Sequence, residues 1–177
     1  RGLGDVYKRQ GLQGSDLRAA ERTFQLLRQV SGRAGRSDKK GAAYLQTYQP
    51  LHPVIKAISE GQDEQFWIAE AEGRALAKMP PYGQLVGILI SAQKSEDAFE
   101  VGLQLAKSAK ILNSAGITLY GPAPAPITRV RGRYRVRLLL KADKGTSMQS
   151  TVKSWVSRVS LKNDVRLTID VDPQSFL

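Results

Sequence analysis

Between Arg133 and Leu140, arginines alternate with apolar residues: Arg133, Arg135 and Arg137 take turns with Tyr134, Val136, Leu138 and Leu140. A period of two belongs to a β-strand whose side chains point to opposite faces. Such a stretch demands a sheet with one face under an apolar cover and the other face open to charge. The flanking segments predict that sheet and its cover. Gln84 to Ala92 is a strand rich in Val, Leu and Ile, and Ser95 caps a helix that turns Ala98, Gly102, Leu105, Ala109 and Leu112 inward. A second strand starts at Ile117 to Tyr120, is interrupted by the proline-rich Gly121 to Pro126, and resumes at Ile127 to Val130. Arg131-Gly132-Arg133 is a turn signal, and the alternating strand runs from Arg133 to Lys141. Thr146 to Ser160 is a helix with Met148, Val152, Trp155, Val156 and Val159 inward, and Val165 to Val171 closes the pattern. The order βαββαβ over residues 82–177 predicts the split-βαβ, ferredoxin-like plan, an α+β domain with two helices on one face of an antiparallel sheet.

The preceding part reads as more helical. Leu17, Ala20, Phe24, Leu27 and Val30 form an apolar stripe at helical spacing after Asp16, a candidate N-cap. Gly41 to Tyr48 has the pattern of a strand, His52 to Glu60 of a short helix, and Gln62 to Lys78 of a longer one with Phe66, Ala69, Gly73 and Leu76 inward. Met79-Pro80-Pro81 ends that helix, because proline disfavours helix in the residue before it. Residues 61–81 are therefore a linking helix, and the domain boundary is placed at its end.

Composition narrows the function. The 177 residues are 41% hydrophobic and 24% charged, as in a globular protein, and no apolar run is long enough to span a bilayer. Without cysteine this sequence offers no disulfide or thiolate metal site. Its one histidine, His52, sits beside Pro53 in a turn and reads as structural. Asp170 and Asp172 share a face but lack a third ligand, so they read as a strand end and no metal site is expected. A net charge of +11 favours a polyanionic partner. Nucleic acid comes before an anionic membrane surface.

Two arginines stand three apart in Gln29-Val30-Ser31-Gly32-Arg33-Ala34-Gly35-Arg36. Small residues between them let a partner approach, so two guanidinium forks can converge on one anion, typically phosphate. The competing reading is a solvated basic helix end favoured by the helix dipole. This stretch resembles motif VI of superfamily 2 helicases, and Asp16 to Leu27 (DLRAAERTFQLL) resembles the primosomal protein N′ family of replication-restart DNA helicases. Met79 to Ala92 (MPPYGQLVGILISA), Gly121 to Leu140 (GPAPAPITRVRGRYRVRLLL) and Ile169 to Pro173 (IDVDP) are similar to the same family, in the same order.

The resemblance implies that residues 11–60 end a second RecA-like α/β motor lobe and that residues 82–177 are a basic DNA-binding domain. It implies an ATP-dependent, 3′-to-5′ translocase that recognises branched or stalled forks and restarts replication through primosome assembly. Gln29, Gly32, Arg33 and Arg36 would face ATP and Mg²⁺, with Arg33 and Arg36 as arginine fingers. This sequence has no G-x-x-x-x-G-K-[ST] loop and no magnesium-holding acidic pair after a strand, so by itself it is not expected to hydrolyse ATP. The zinc-binding cysteines of the family are absent. The match begins abruptly at Gly11, as expected of a truncated chain, and residues 1–10 are read as non-native or disordered. The resemblance further implies a monomer in the bacterial cytoplasm, at the nucleoid. It also implies a site for the tail of single-strand-binding protein, where Gln149 matches the family's glutamine and Gly145, beside Lys144, stands at its basic position.

Arg129, Arg131, Arg133, Arg135 and Arg137 are the candidate DNA-binding residues. From Arg129 to Arg166 only Asp143 and Asp164 oppose a long list of cations. Such a ladder suits phosphate-backbone binding with little sequence preference. The structural alternative is an edge strand protected from aggregation by charge. A non-enzymatic nucleic-acid-binding module on the same fold is the alternative function. An RNA-recognition motif shares the strand order, but it needs exposed aromatics where this sequence has Arg133 and Arg135, with Tyr134 on the core-facing parity.

Overall fold

A computed structural model describes residues 18–35 and 42–174. Arg18–Glu72 form one compact unit and the residues after Glu72 another. Asp16, Leu17, Arg36 and the first ten residues lie outside the described residues.

The first unit is helical. Its elements are α1 (Ala19–Ser31), a 3₁₀ turn (Gly32–Gly35), α2 (Pro53–Glu60) and α3, which starts at Asp63 and runs to Leu76. Phe24, Val54, Ala57 and Phe66 form its core, with Ala20, Leu27 and Ile58 packed against them. The Phe24 and Phe66 rings stack at 4.2 Å, and Trp67 stands edge-on to both. His52 has the structural role expected of it. As N-cap of α2 its Nδ1 accepts the Val54 N–H at 3.3 Å, in the position that Pro53 leaves suited to a helix start. Gly61 ends α2 in the left-handed conformation, φ +68°. Arg28 in the last turn of α1 pairs with Asp63 at the start of α3 at 2.7 Å.

Several upstream expectations need correction. Residues 42–47 form no strand, and Tyr44 and Tyr48 are exposed. A strand is held by a neighbour's hydrogen bonds, and among the described residues of this unit there is no second strand to supply them. Val30, Ala69 and Leu76 are exposed, so the inward faces of α1 and α3 are shorter than their patterns suggested.

The second unit follows the predicted order. Strands β1 (Gly83–Ala92), β2 (Thr118–Val130), β3 (Arg133–Asp143) and β4 (Arg166–Val171) form one antiparallel sheet in the order β2-β3-β1-β4. Between them come α4 (Ser95–Lys107), the short α5 (Lys110–Ser114) and α6 (Met148–Val156). The core joins Val86, Ile88 and Ile90 of β1 and Val136, Leu138 and Leu140 of β3 to Ala98, Val101 and Leu105 of α4, Leu112 of α5, and Met148, Val152 and Trp155 of α6. Helix interiors usually gain from alanine in place of glycine. At Gly102 a Cβ would lie 2.8 Å from Pro122 Cβ, so only glycine lets β2 approach α4 this closely.

Two details differ from the sequence pattern. The helix predicted to run through Leu112 breaks at Ser108, whose Oγ donates to Leu105 O at 2.9 Å and accepts Trp155 Nε1–H at 2.9 Å. Serine competing for the carbonyls of the preceding turn is a known cause of helix termination. Ser95 is the first residue of α4, and Lys94 holds the cap position without a side-chain bond.

Candidate nucleic-acid interface

Cross-strand register sorts the arginines. Residues directly opposite one another share a face, so Arg135 of β3, Ser91 of β1 and Arg166 of β4 form one row on the face away from the helices. Arg133 and Arg137 have the same parity, and Tyr134, opposite Ala92, has the core parity, as the alternation predicted. Arg129 is different. It lies opposite Tyr134, with its guanidinium 5.0 Å from the centre of that ring, in cation–π range. Arg131 occupies the hairpin tip, where Arg131 (φ +49°) and Gly132 (φ +79°) are both left-handed, as a two-residue type I′ turn requires.

Exposure changes the list. Arg137 was expected to point into solvent, but it is only 4% exposed, and burial pushes its pKa down. Its neighbours on this parity are not all polar: Leu85 and Leu139 make a second apolar cluster there with Met79 and Tyr120. Arg133 is half-buried and committed to the protein. It donates to Ser91 O at 2.8 Å, to Asp164 Oδ1 at 3.1 Å and to the Asp164 carbonyl. Arg129 and Arg131 are exposed, and Arg135 is half-exposed. Arg166, which local spacing did not single out, is exposed and stands in the row with Arg135. Only the strand order could have revealed it.

The loop 157–164 is fastened through two side chains, Asp164 and Lys162. The Asp164 carboxylate accepts the Gln93 N–H at 2.6 Å, and that bond, followed by Arg133 and the charge of Arg166, holds its pKa below the usual aspartate range. Lys162 Nζ donates to Asp97 and Glu100, each at 2.7 Å, and these bonds raise its pKa. A depressed carboxylate stabilises the fold above its unfolded pKa of about 3.9. That contribution is lost as pH falls through the lower folded value. Asp164→Asn is therefore expected to lower the urea midpoint at pH 7 and to converge on the wild type as the pH drops below about 3.9. A gap between the two proteins that stays constant down to pH 2 would contradict this role.

Other sequence-predicted residues are placed as follows. Gln29 lies on the exposed side of α1 and lines a shallow groove with Arg22, Gln25 and Leu26. Gly32 and Arg33 are exposed in the 3₁₀ turn, and a Cβ built on Gly32 meets nothing within 4 Å. Gln149 borders a cleft with Thr146, Ser147, Met148, Gln84, Val86, Val171 and Asp172, whereas Lys144 is exposed outside that lining. Asp172 closes the strand end as expected, since its Oδ1 accepts Leu85 N–H at 2.9 Å and its N–H donates to Leu85 O at 2.8 Å. Among the described residues no cluster of three or more His, Asp or Glu is positioned to hold a metal, and no helix is long and apolar enough to cross a membrane.

The family model of the primosomal protein N C-terminal domain matches residues 75–174. Replication restart protein PriA of Rickettsia felis is 37% identical over 166 residues, which is 94% of this chain and 25% of that protein. The PriA proteins of Synechocystis sp. and Bacillus subtilis are 36% and 34% identical, over 92% of this chain and 19% and 20% of their own lengths. The chain thus spans about a quarter or less of these relatives. With more than half of its residues matched, sheet and helices included, the chain belongs to the primosomal protein N C-terminal domain family.

Proposed function

We propose that this chain acts in bacterial replication restart and that its second unit binds the duplex arms of branched or forked DNA. The binding surface is the Arg135–Arg166 row and the hairpin end beyond it, where Arg131 stands at the tip and Arg129 on the opposite parity. The observation that carries the reading is the Arg135–Ser91–Arg166 row beside two exposed hairpin arginines in a chain of net charge +11. Strands lie about 4.8 Å apart, so the outer two members of the row straddle a hydroxyl at a spacing that suits phosphate oxygens on one backbone. Arg133 and Arg137 serve the fold. Arg133 fastens the loop before β4, and Arg137 is buried in the sheet, so neither is offered to DNA.

In the intact protein the first unit completes an ATP- and Mg²⁺-dependent 3′-to-5′ DNA helicase as the end of its RecA-like second lobe. Gln29, Gly32, Arg33 and Arg36 face the nucleotide, and Arg33 and Arg36 stabilise the transferring γ-phosphoryl group. The cleft bordered by Gln149 receives the tail of single-strand-binding protein, and other primosome proteins assemble on the same molecule. The protein works as a monomer in the cytoplasm, at the nucleoid. The similarity to proteins named for replication restart supports the restart role on which these steps build.

The test is fluorescence anisotropy with forked DNA, plain duplex and single-stranded RNA across a salt series. Phosphate contacts release counterions, with a slope of about −0.9 per contact in log K against log salt. Changing Arg129, Arg131 and Arg135 together to alanine is expected to reduce that slope by roughly 2 to 3, on fork and duplex alike. Changing Arg133 alone should act mainly through stability. RNA binding that equals DNA binding and ignores the three arginines would instead favour a general nucleic-acid-binding module.

A further inference from the structure

The β2–β3 hairpin is not a regular ladder. Pro124 lies opposite Val136 and Arg129 opposite Tyr134, so the four residues Ala125, Pro126, Ile127 and Thr128 face the single Arg135. This bulge is anchored at its start, where Ala125 is buried, and it returns to the ladder at Arg129. Ile127 in the bulge is 46% exposed, and Val130, back in the ladder beyond it, is 38% exposed, both within a few residues of Arg129 and Arg131 at the hairpin end. Val130 pairs with Arg133 and so points to the same face as the Arg135–Ser91–Arg166 row. Two exposed aliphatic side chains thus stand close in sequence to the hairpin arginines.

The chemistry around them limits the partner. β2 is an edge strand of the sheet, and Pro124 and Pro126 remove two of the N–H groups that another protein strand would need. The flanking cations favour a polyanion. In a continuous duplex the base faces are stacked on one another, and an aliphatic side chain finds only groove edges. Where a duplex ends or forks, a terminal base face is uncovered. Proteins that unstack base steps use the same combination, an isoleucine or proline wedge beside groove-binding arginines.

We infer that Ile127 and Val130 cover the uncovered base face at the end of a duplex arm, while Arg129, Arg131 and Arg135 hold the flanking phosphates. This makes the bulged hairpin the element that distinguishes an interrupted duplex from a continuous one. The inference rests on the DNA-binding reading above and adds its substrate discrimination.

The test compares the wild-type chain with the double variant Ile127→Ser, Val130→Ser on a fork and on a continuous duplex of equal length. Removing half-exposed apolar contacts of this size should weaken fork binding about tenfold and leave duplex binding within about twofold. Both side chains are on the surface, so melting should be unchanged. Equal losses on the two substrates, or none on either, would overturn the inference while the DNA-binding reading stands. Binding unaffected by Arg129→Ala with Arg131→Ala would overturn the DNA-binding reading itself. A second readout uses only the wild-type chain, with 2-aminopurine at the first base pair of the fork arm. Binding should change its fluorescence there and not at the same base within the continuous duplex. No difference between the two positions would also sink the proposal.

Discussion

Trp155→Ala is expected to destabilise the second unit by about 3–5 kcal/mol, the largest loss from a single truncation in this sheet-and-helix core. Trp155 is fully buried between the sheet and α5, and its indole N–H is bonded to Ser108 Oγ at 2.9 Å. Truncation leaves a large cavity, because the strands on one side and the two helices on the other cannot close over it together. The lost hydrogen bond adds little, since Ser108 keeps its bond to Leu105 O and a net hydrogen bond contributes only about 1 kcal/mol. For a domain near 100 residues this loss lowers Tm by roughly 15–30 °C, and it consumes much of a typical stability of about 5–15 kcal/mol. Trp155→Phe separates the two terms. It keeps most of the packing and removes the N–H, so it should cost well under half as much. Circular dichroism during urea unfolding measures both variants. A loss below about 1 kcal/mol for the alanine variant would mean that the core is not assembled around this residue, because buried aromatic truncations do not fall that low.

What the sequence made legible follows from how local each signal is. The alternation in Arg133 to Lys141 identified β3 and the parity of Tyr134, because period two is a property of the strand alone. The same is true of α4 and α6, whose inward residues were readable from helical spacing. Non-local facts were not readable. That Arg166 shares a row with Arg135, across Ser91, depends on β4 adding to β1 rather than to β2. Arg137 has the same local pattern as Arg135, yet it is buried, because burial depends on what lies over the sheet at that point. The bond between Ser108 and Trp155, forty-seven residues apart, is likewise invisible to helical spacing. Residues 41–48 have strand composition, but pairing takes a neighbour. The motif at Gln29 to Arg36 was legible as a resemblance, while the bulge that presents Ile127 was not, since the prolines marked only an interruption.

On the proposed nucleotide role, Arg33→Ala in the full-length protein is expected to lower DNA-dependent ATP turnover by about 10³-fold, equivalent to roughly 4 kcal/mol of transition-state stabilisation. Arg33 is placed where its truncation costs no packing. It is exposed in the 3₁₀ turn, and Gly32 beside it has open space where a side chain would stand. An arginine held that way loses no packing when truncated, so folding and DNA affinity should remain near wild type. Arg28, one helical turn earlier, is the matched control. It is paired with Asp63 at 2.7 Å, joining the end of α1 to the start of α3. Arg28→Ala should therefore lower the stability of the first unit modestly, as half-exposed ion pairs do, with little effect on turnover. The solvated-helix-end reading predicts no loss of turnover for either change. A general structural role predicts that both fall together. Only a guanidinium acting on the nucleotide separates them, with Arg33→Ala inactive and folded and Arg28→Ala active and weakened.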